Sequence, residues 1–256
     1  MSQQGRLSGS VAIVTAAGQG LGEAISKMLA GAGASIALVD INLEEASRVC
    51  AEIEAAGGSA VVLPTDVTKS DAVNKMVDAV VQRWGTVDIL VNAAGGFTKF
   101  APITEIAEEE WDRVITLNLK SAFLCTKAVA KIMIEKRKGR IISIASGAGV
   151  GPRSHAPSYI PYGAAKAGLI GFGKLLARDL GEYGITVNTV TPGTTLTPRV
   201  RKVRDAASIE KIKLQNPMRS LVEPEDTAEA VLFLASGAAR YITGVNLNVS
   251  AGNLIV

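Results

Sequence analysis

The chain has 256 residues, 48% of them hydrophobic, with 26 glycines and a formal net charge of +3, which supplies a sizeable core for one domain spanning residues 1–256 and leaves no linker to divide it. Without a long basic run, and with 4% aromatic residues, it lacks both the electrostatic footprint and the stacking platform of a nucleic-acid binder. His155 is the sole histidine and Cys50 and Cys125 are the only cysteines, so a His-based triad or a multi-histidine metal site is excluded by count.

Met1 to Ser10 is polar and carries no secretory pattern, and no apolar run reaches the ~18 residues of a membrane span, which predicts a soluble cytoplasmic protein without a membrane partner. Beyond it, short β-rich apolar runs alternate with amphipathic helical stretches. The predicted strands are Val11–Thr15, Ser35–Val39, Ala60–Leu63, Val87–Val91, Arg140–Ala145, Ile185–Val190 and Val245–Val249. Continuous apolarity in most of them suits strands covered on both faces, as in a parallel sheet.

The first strand runs into Thr15-Ala16-Ala17-Gly18-Gln19-Gly20-Leu21-Gly22 and then a helix. In such a turn the absent Cβ lets the backbone approach a pyrophosphate, and the helix N-terminus offers N–H donors. Asp40 ends the second strand, where an acidic side chain meets the adenosine ribose hydroxyls and repels a 2′-phosphate. With no Lys or Arg in the glycine turn or directly after Asp40, NAD is favoured over NADP. The helix after Asn42 places Ala46, Val49, Cys50 and Ile53 on one stripe and stops at Gly57-Gly58; the next, opening at Thr68-Lys69-Ser70-Asp71, buries Val73, Met76, Val77, Val80 and Trp84. Both cysteines sit in helical apolar patterns and are expected to be buried, reduced thiols. One long helix is predicted from about Glu108 to Lys138. The repeated βα units predict an α/β, Rossmann-type doubly wound parallel sheet of about seven strands with helices on both faces.

Past the strand ending at Ala145 and Ser146 comes Tyr162-Gly-Ala-Ala-Lys166. A phenol and an ammonium one helical turn apart share a face, and the cation stabilises the phenolate, making a tyrosine usable as a proton acceptor near neutral pH. Tyr159 is a local decoy, because four residues on it meets Gly163 rather than a lysine. The helix around Tyr162 is rich in small residues, which close helix packing justifies. Arg199, Arg201, Lys202, Arg204, Lys211 and Lys213 crowd one segment against Asp205 and Glu210; it reads either as attraction for an anionic substrate, with Arg153 a second candidate, or as a solvated helix face.

Thr15 to Gly22, Asp40, Asp66-Val67, Asn92-Ala93-Ala94-Gly95, Asn118, Ser146, Tyr162 with Lys166, Asn188 and Pro192-Gly193 together resemble the classical short-chain dehydrogenases/reductases over essentially the whole length. The resemblance implies that Gly18, Gln19, Gly20, Leu21 and Gly22 cradle the dinucleotide and that Asp66 and Val67 border its adenine. It further implies that Asn92, Ala93 and Gly95 support the cofactor-binding strand end, that Pro192 and Gly193 belong to the cofactor site, and that Thr195 and Thr197 touch the carboxamide side of the nicotinamide. In that frame Tyr162 is the general acid/base, Ser146 binds the reacting oxygen, Lys166 holds the nicotinamide ribose, and Asn118 anchors a water of the proton relay. A lid is implied at about 194–218, substrate contacts at Ser146, Arg153 and Tyr162, and a homotetramer built on the Asn118 and Tyr162 helices.

The chain departs from the family pattern at Ala16, where the first glycine of TGxxxGxG belongs, at Ala93 within the usual Asn-Asn-Ala-Gly, and at Ser250-Ala251-Gly252 in place of Asp-Gly-Gly. The resulting expectation is an NAD-dependent oxidoreductase of secondary alcohols, ketones or hydroxyacyl compounds, with no metal. Its rivals are an NADPH-dependent 3-oxoacyl carrier-protein reductase, against which Asp40 and Tyr183 argue, and a non-catalytic dinucleotide-binding protein.

Overall fold

The computed structural model describes residues 5–97, 100–151, 159–198, 200 and 205–255. In chain order the elements are β1 (Val11–Thr15), α1 (Gly20–Gly31), β2 (Ser35–Asp40), α2 (Leu43–Ala55), β3 (Ser59–Pro64), α3 (Ser70–Trp84), β4 (Ile89–Asn92) and α4 (Glu108–Ile115). They continue as α5 (Ser121–Lys136), β5 (Gly139–Ile144), α6 (Ile160–Leu180), β6 (Ile185–Pro192), α7 (Ala206–Gln215), α8 (Pro224–Ala235) and β7 (Asn246–Val249). The strands form one seven-stranded parallel sheet in the order β3-β2-β1-β4-β5-β6-β7.

Strand period 2 sorts the core into two layers. Ala12 and Val14 of β1 join Ile36 and Leu38 of β2 under α1, α2 and α8, whereas Val11 and Ile13 join Ala37 and Val39 under α3, α5 and α6. Both faces of the inner strands are therefore sealed from water, which is why these read as nearly unbroken apolar runs, whereas the edge strands β3 and β7 are only partly buried. Order reverses between β1 and β4, so their carboxyl ends diverge and open a crevice at the topological switch point. The glycine turn, the segment after β4, Ser146 and the segment after β6 all leave the sheet at this edge.

The predicted caps hold where side chains make them: Asn42 Oδ1 accepts from the Glu45 N–H at 3.3 Å, and Gly57 carries φ +83° just past α2. Three expectations need correction. The predicted helix from Glu108 to Lys138 is interrupted at Thr116–Lys120, which winds as a π-turn, and it ends at Lys136 with Arg137 in the left-handed region. β4 begins at Ile89 rather than Val87, because Asp88 turns its carboxylate to accept from the Val11 N–H at 2.9 Å. Cys125 is buried as expected, its thiol pushed up to about 12 by desolvation, but Cys50 is only half-buried at the edge of α2.

Candidate active site

The β1–α1 turn is built by close backbone approach. A Cβ on Gly22 would stand 2.0 Å from the Ala16 carbonyl oxygen, so the first turn of α1 sits directly on the end of β1. Gly20 carries φ +59°, and Gln19, which precedes α1, makes no side-chain cap, which leaves the first-turn amides for an anion. Thr197 lies over this turn, its Cγ2 3.5 Å from where a Gly20 Cβ would be. These features fit the pyrophosphate of a dinucleotide. Ala16 adopts φ +52°, a left-handed conformation that a Cβ disfavours. Ala16→Gly is expected to raise stability by about 0.5–1 kcal/mol, the steric relief exceeding glycine's added unfolded-state entropy, as thermal or urea melts would register.

Thr15 joins this turn to the next strand, its hydroxyl accepting from the Ala93 and Ala94 N–H groups at 2.9 and 3.0 Å. Below them Asn92 is buried and donates to Ser143 Oγ at 3.2 Å. Asp40 is half-buried at the end of β2, with Oδ2 accepting from Gly18 N–H and Oδ1 from Asn42 N–H, both at 2.9 Å. Each oxygen retains a lone pair for a ribose hydroxyl. Asp66 is exposed and closes an Asx-type turn with Thr68, whose hydroxyl hydrogen bond holds the carboxyl below its ordinary range, while Val67 beside it is buried. Across the crevice the Gly193 N–H donates to the Val249 carbonyl at 2.8 Å, Pro192 is the last residue of β6, and Thr195 is buried in a bridge to Val222.

Asn118 sits in the middle of the π-turn and is 1% exposed. Its Nδ2 donates to Gly96 O at 2.8 Å and to Val114 O at 2.9 Å, and its Oδ1 accepts from Gly96 N–H at 2.9 Å. The widened turn frees the Val114 carbonyl for a side chain to satisfy. Asn118 thereby pins the segment after β4, and nothing larger than glycine fits at Gly95: a Cβ there would meet Asn118 Oδ1 at 2.6 Å and Lys166 Nζ at 3.0 Å.

Lys166 is 3% exposed, donates to the Ile144 carbonyl at 2.8 Å, and has Nζ 5.6 Å from the Tyr162 ring centroid. Ser146 is half-buried at the end of β5, its Oγ accepting from Ala148 N–H at 3.3 Å as it starts a short 3₁₀ turn. The helix carrying Tyr162 and Lys166 packs tightly there, since a Cβ on Gly149 would lie 2.5 Å from the Ala167 amide nitrogen. Burial pushes the Lys166 ammonium down to about 8. Relative to an unfolded lysine near 10.5 the folded state binds its proton less tightly, so the destabilisation is complete below pH 8 and fades as pH rises towards 10.5. Lys166→Met is therefore expected to raise the pH 7 stability by about 2 kcal/mol, after allowance for the unpaired Ile144 carbonyl, and the gain should vanish near pH 10 in denaturant titrations.

Beside Tyr162 opens a cleft lined chiefly by apolar and aromatic side chains, among them Phe97, Ile106, Val114, Tyr159 and Ile160, with Glu105 and Glu110. Tyr159 stacks on Phe100 with ring centroids 3.4 Å apart, and Phe97 meets Tyr162 edge-on at 5.1 Å. Sequence reasoning missed Phe97 and Phe100, which carry no motif. Arg153, Arg199, Arg201, Lys202, Arg204 and His155 lie outside the described residues. Among the described residues no group of His, Cys, Asp and Glu could hold a metal ion, and no helix is long and apolar enough to cross a membrane.

A doubly wound parallel sheet with a glycine-built β1–α1 turn, an acidic residue ending β2, Ser146 just past β5 and Tyr162 with Lys166 on α6 fits a dinucleotide-dependent oxidoreductase. Residues 15–253 match the family model described as enoyl-(acyl carrier protein) reductase. The chain is 36% identical over 255 residues to 2,3-dihydro-2,3-dihydroxybenzoate dehydrogenase of Bacillus subtilis, covering 96% of each chain. It is 38% identical over 251 residues to 3-oxoacyl-[acyl-carrier-protein] reductase of Synechocystis, covering 96% of this chain and 97% of the other. A crystal structure described as a short-chain dehydrogenase/reductase from Burkholderia xenovorans superposes with a TM-score of 0.91 at 37% identity, covering 97% of this chain and 98% of that one. The chain belongs to the short-chain dehydrogenase/reductase family, whose members bind a nicotinamide dinucleotide.

Proposed function

We propose that the protein is an NAD-dependent dehydrogenase/ketoreductase acting on a secondary alcohol, its ketone or a hydroxyacyl compound. The observation that carries this reading is the buried Lys166 ammonium held 5.6 Å from the Tyr162 ring at the mouth of an apolar cleft. A tyrosine with an ordinary pKa of about 10 is a weak base at neutral pH, and each unit of depression requires ~1.4 kcal/mol of preferential phenolate stabilisation. A desolvated ammonium supplies that more effectively than a solvated one. Tyr162 takes the substrate hydroxyl proton in oxidation and returns it in reduction. Ser146 donates to the reacting oxygen, and Asn118 holds the Gly95–Gly96 backbone against the site and anchors the relay water. The bound dinucleotide supplies the hydride acceptor and donor.

Gly18, Gln19, Gly20, Leu21 and Gly22 hold the pyrophosphate, Asp40 the adenosine ribose, Asp66 and Val67 the adenine. Asn92, Ala93 and Gly95 support the cofactor-binding strand end, Pro192 and Gly193 belong to the same site, and Thr195 and Thr197 meet the nicotinamide carboxamide, while Lys166 reaches the nicotinamide ribose. The whole chain acts as one dinucleotide-binding unit, with residues 194–218, including α7, as its lid. Asp40 supports NAD over NADP. The alternative, an NADPH-dependent 3-oxoacyl carrier-protein reductase, draws support from the 38% identity to a relative of that name but leaves the Asp40 carboxylate facing a 2′-phosphate. Apolar walls with Glu105 and Glu110 support an uncharged substrate framework over an anion at this cleft.

On the same reading the protein is a cytoplasmic homotetramer in which α5 and α6 pair between subunits. Phe123 and Leu175, 44% and 69% exposed on those helices, support the pairing, and light scattering tests it. The functional test is a spectrophotometric screen of secondary and cyclic alcohols, ketones and hydroxyacyl thioesters with NAD and NADP in parallel. Turnover with NAD is the expected result; dinucleotide binding without turnover on the whole panel would favour a non-catalytic binder instead.

A further inference from the structure

The peptide groups on either side of Gly18 are held from opposite directions by residues outside the glycine turn. Its N–H donates to Asp40 Oδ2 at 2.9 Å, and its carbonyl accepts from Arg48 Nη2 at 3.2 Å. The start of α2 closes the remaining side, since a Cβ on Gly18 would stand 3.0 Å from Glu45 Cβ and 3.1 Å from the Ala46 nitrogen. Arg48 is itself oriented by three carboxylates. Glu23 takes both Nη atoms at 2.9 Å, Glu52 takes Nη1 at 2.7 Å, and Glu45 takes Nε at 3.2 Å. Lys27 ties Glu23 and Glu52 together at 2.6 and 2.5 Å.

These ion pairs are partly exposed, and singly each is worth no more than about 1 kcal/mol of stability. Their effect is geometric: a planar fork whose other donors are occupied presents Nη2 to one carbonyl in a fixed direction. They also leave two cations facing four carboxylates when Asp40 is included, so the arginine nearest the turn has no uncompensated charge to offer a phosphate.

We propose that Arg48 is a positioning residue for the dinucleotide, fixing the Gly18 peptide so that the α1 amides face the pyrophosphate, and that Glu23, Glu45 and Glu52 withhold its charge from a 2′-phosphate. The inference rests on the reading of this turn as the dinucleotide site. It adds a second determinant of cofactor choice, remote in sequence from Asp40.

Calorimetric titration with ADP and with its 2′-phosphorylated counterpart tests this without turnover. Arg48→Ala is expected to weaken ADP binding about tenfold and to raise the KM for the dinucleotide in proportion while kcat changes less than twofold, as for a lost charge-assisted hydrogen bond that acts on binding alone. Glu45→Gln/Glu52→Gln, which retains the arginine and so guards against a folding defect in Arg48→Ala, is expected to shift relative affinity towards the 2′-phosphorylated ligand about tenfold, and Arg48→Ala in that background should abolish the shift. Unchanged ADP affinity in folded Arg48→Ala, or unchanged selectivity in the double variant, would overturn the inference. Wild-type protein that binds neither ligand would instead overturn the dinucleotide reading.

Discussion

Tyr162→Phe is expected to lower kcat by about 10³-fold, within the range that positioned proton transfer contributes, while dinucleotide affinity stays within about twofold. The substitution removes one oxygen and keeps the ring, so the edge-on contact with Phe97 at 5.1 Å and the Lys166 ammonium at 5.6 Å keep their partner. The pattern separates chemistry from binding: a structural tyrosine would change affinity or stability along with rate, and a catalytic one changes the rate alone. Steady-state kinetics with a dinucleotide titration on the same preparation checks both. Wild-type-like turnover would remove Tyr162 from the proton-transfer step.

Gly22→Ala should be nearly as damaging by a different route. The added methyl would lie 2.0 Å from the Ala16 oxygen and 2.7 Å from its carbonyl carbon, both backbone atoms that no rotamer change can move. The turn must open to admit it, at a cost of about 3 kcal/mol in stability and at least a tenfold loss of dinucleotide affinity. Gly31→Ala, at the far end of the same helix where nothing lies within 4 Å of a Cβ, is the control and should be neutral or mildly stabilising, by up to about 1 kcal/mol. Thermal melts of the two variants with and without NAD read the contrast.

The sheet was legible because burial on both faces leaves a plain mark on its inner strands, and the partly buried edge strand β7 shows instead as the alternation Val245-Asn246-Leu247-Asn248-Val249, with edges shifted by a residue or two where polar groups serve other ends, as at Asp88. Asp40, Ser146, Tyr162 and Lys166 stood out in the sequence by residue type and spacing, and the fold sets Asp40 at the end of β2, Ser146 just past β5 and Tyr162 with Lys166 on α6. The π-turn at Thr116–Lys120 was not legible, since no residue type in Thr-Leu-Asn-Leu-Lys marks a widened turn, and Asn118 then reads as one polar position among many. Its grip on Gly96 appears only when the loop after β4 is folded over α4. Arg48 was hidden because its partners Glu23 and Gly18 lie on another element, and its place on α2 looks like an ordinary charged helix face. Ala16 was visible as a departure, but its consequence, a left-handed backbone carrying a methyl, arises only in the folded turn.

Hydride transfer assisted by Tyr162 is tested most directly by following the isotope. With a turned-over secondary alcohol deuterated at its carbinol carbon, the account predicts that the deuterium appears on the reduced nicotinamide by mass spectrometry, with single-turnover transfer slowed in Tyr162→Phe. Label released to water, or ketone formed without reduced dinucleotide, would contradict it.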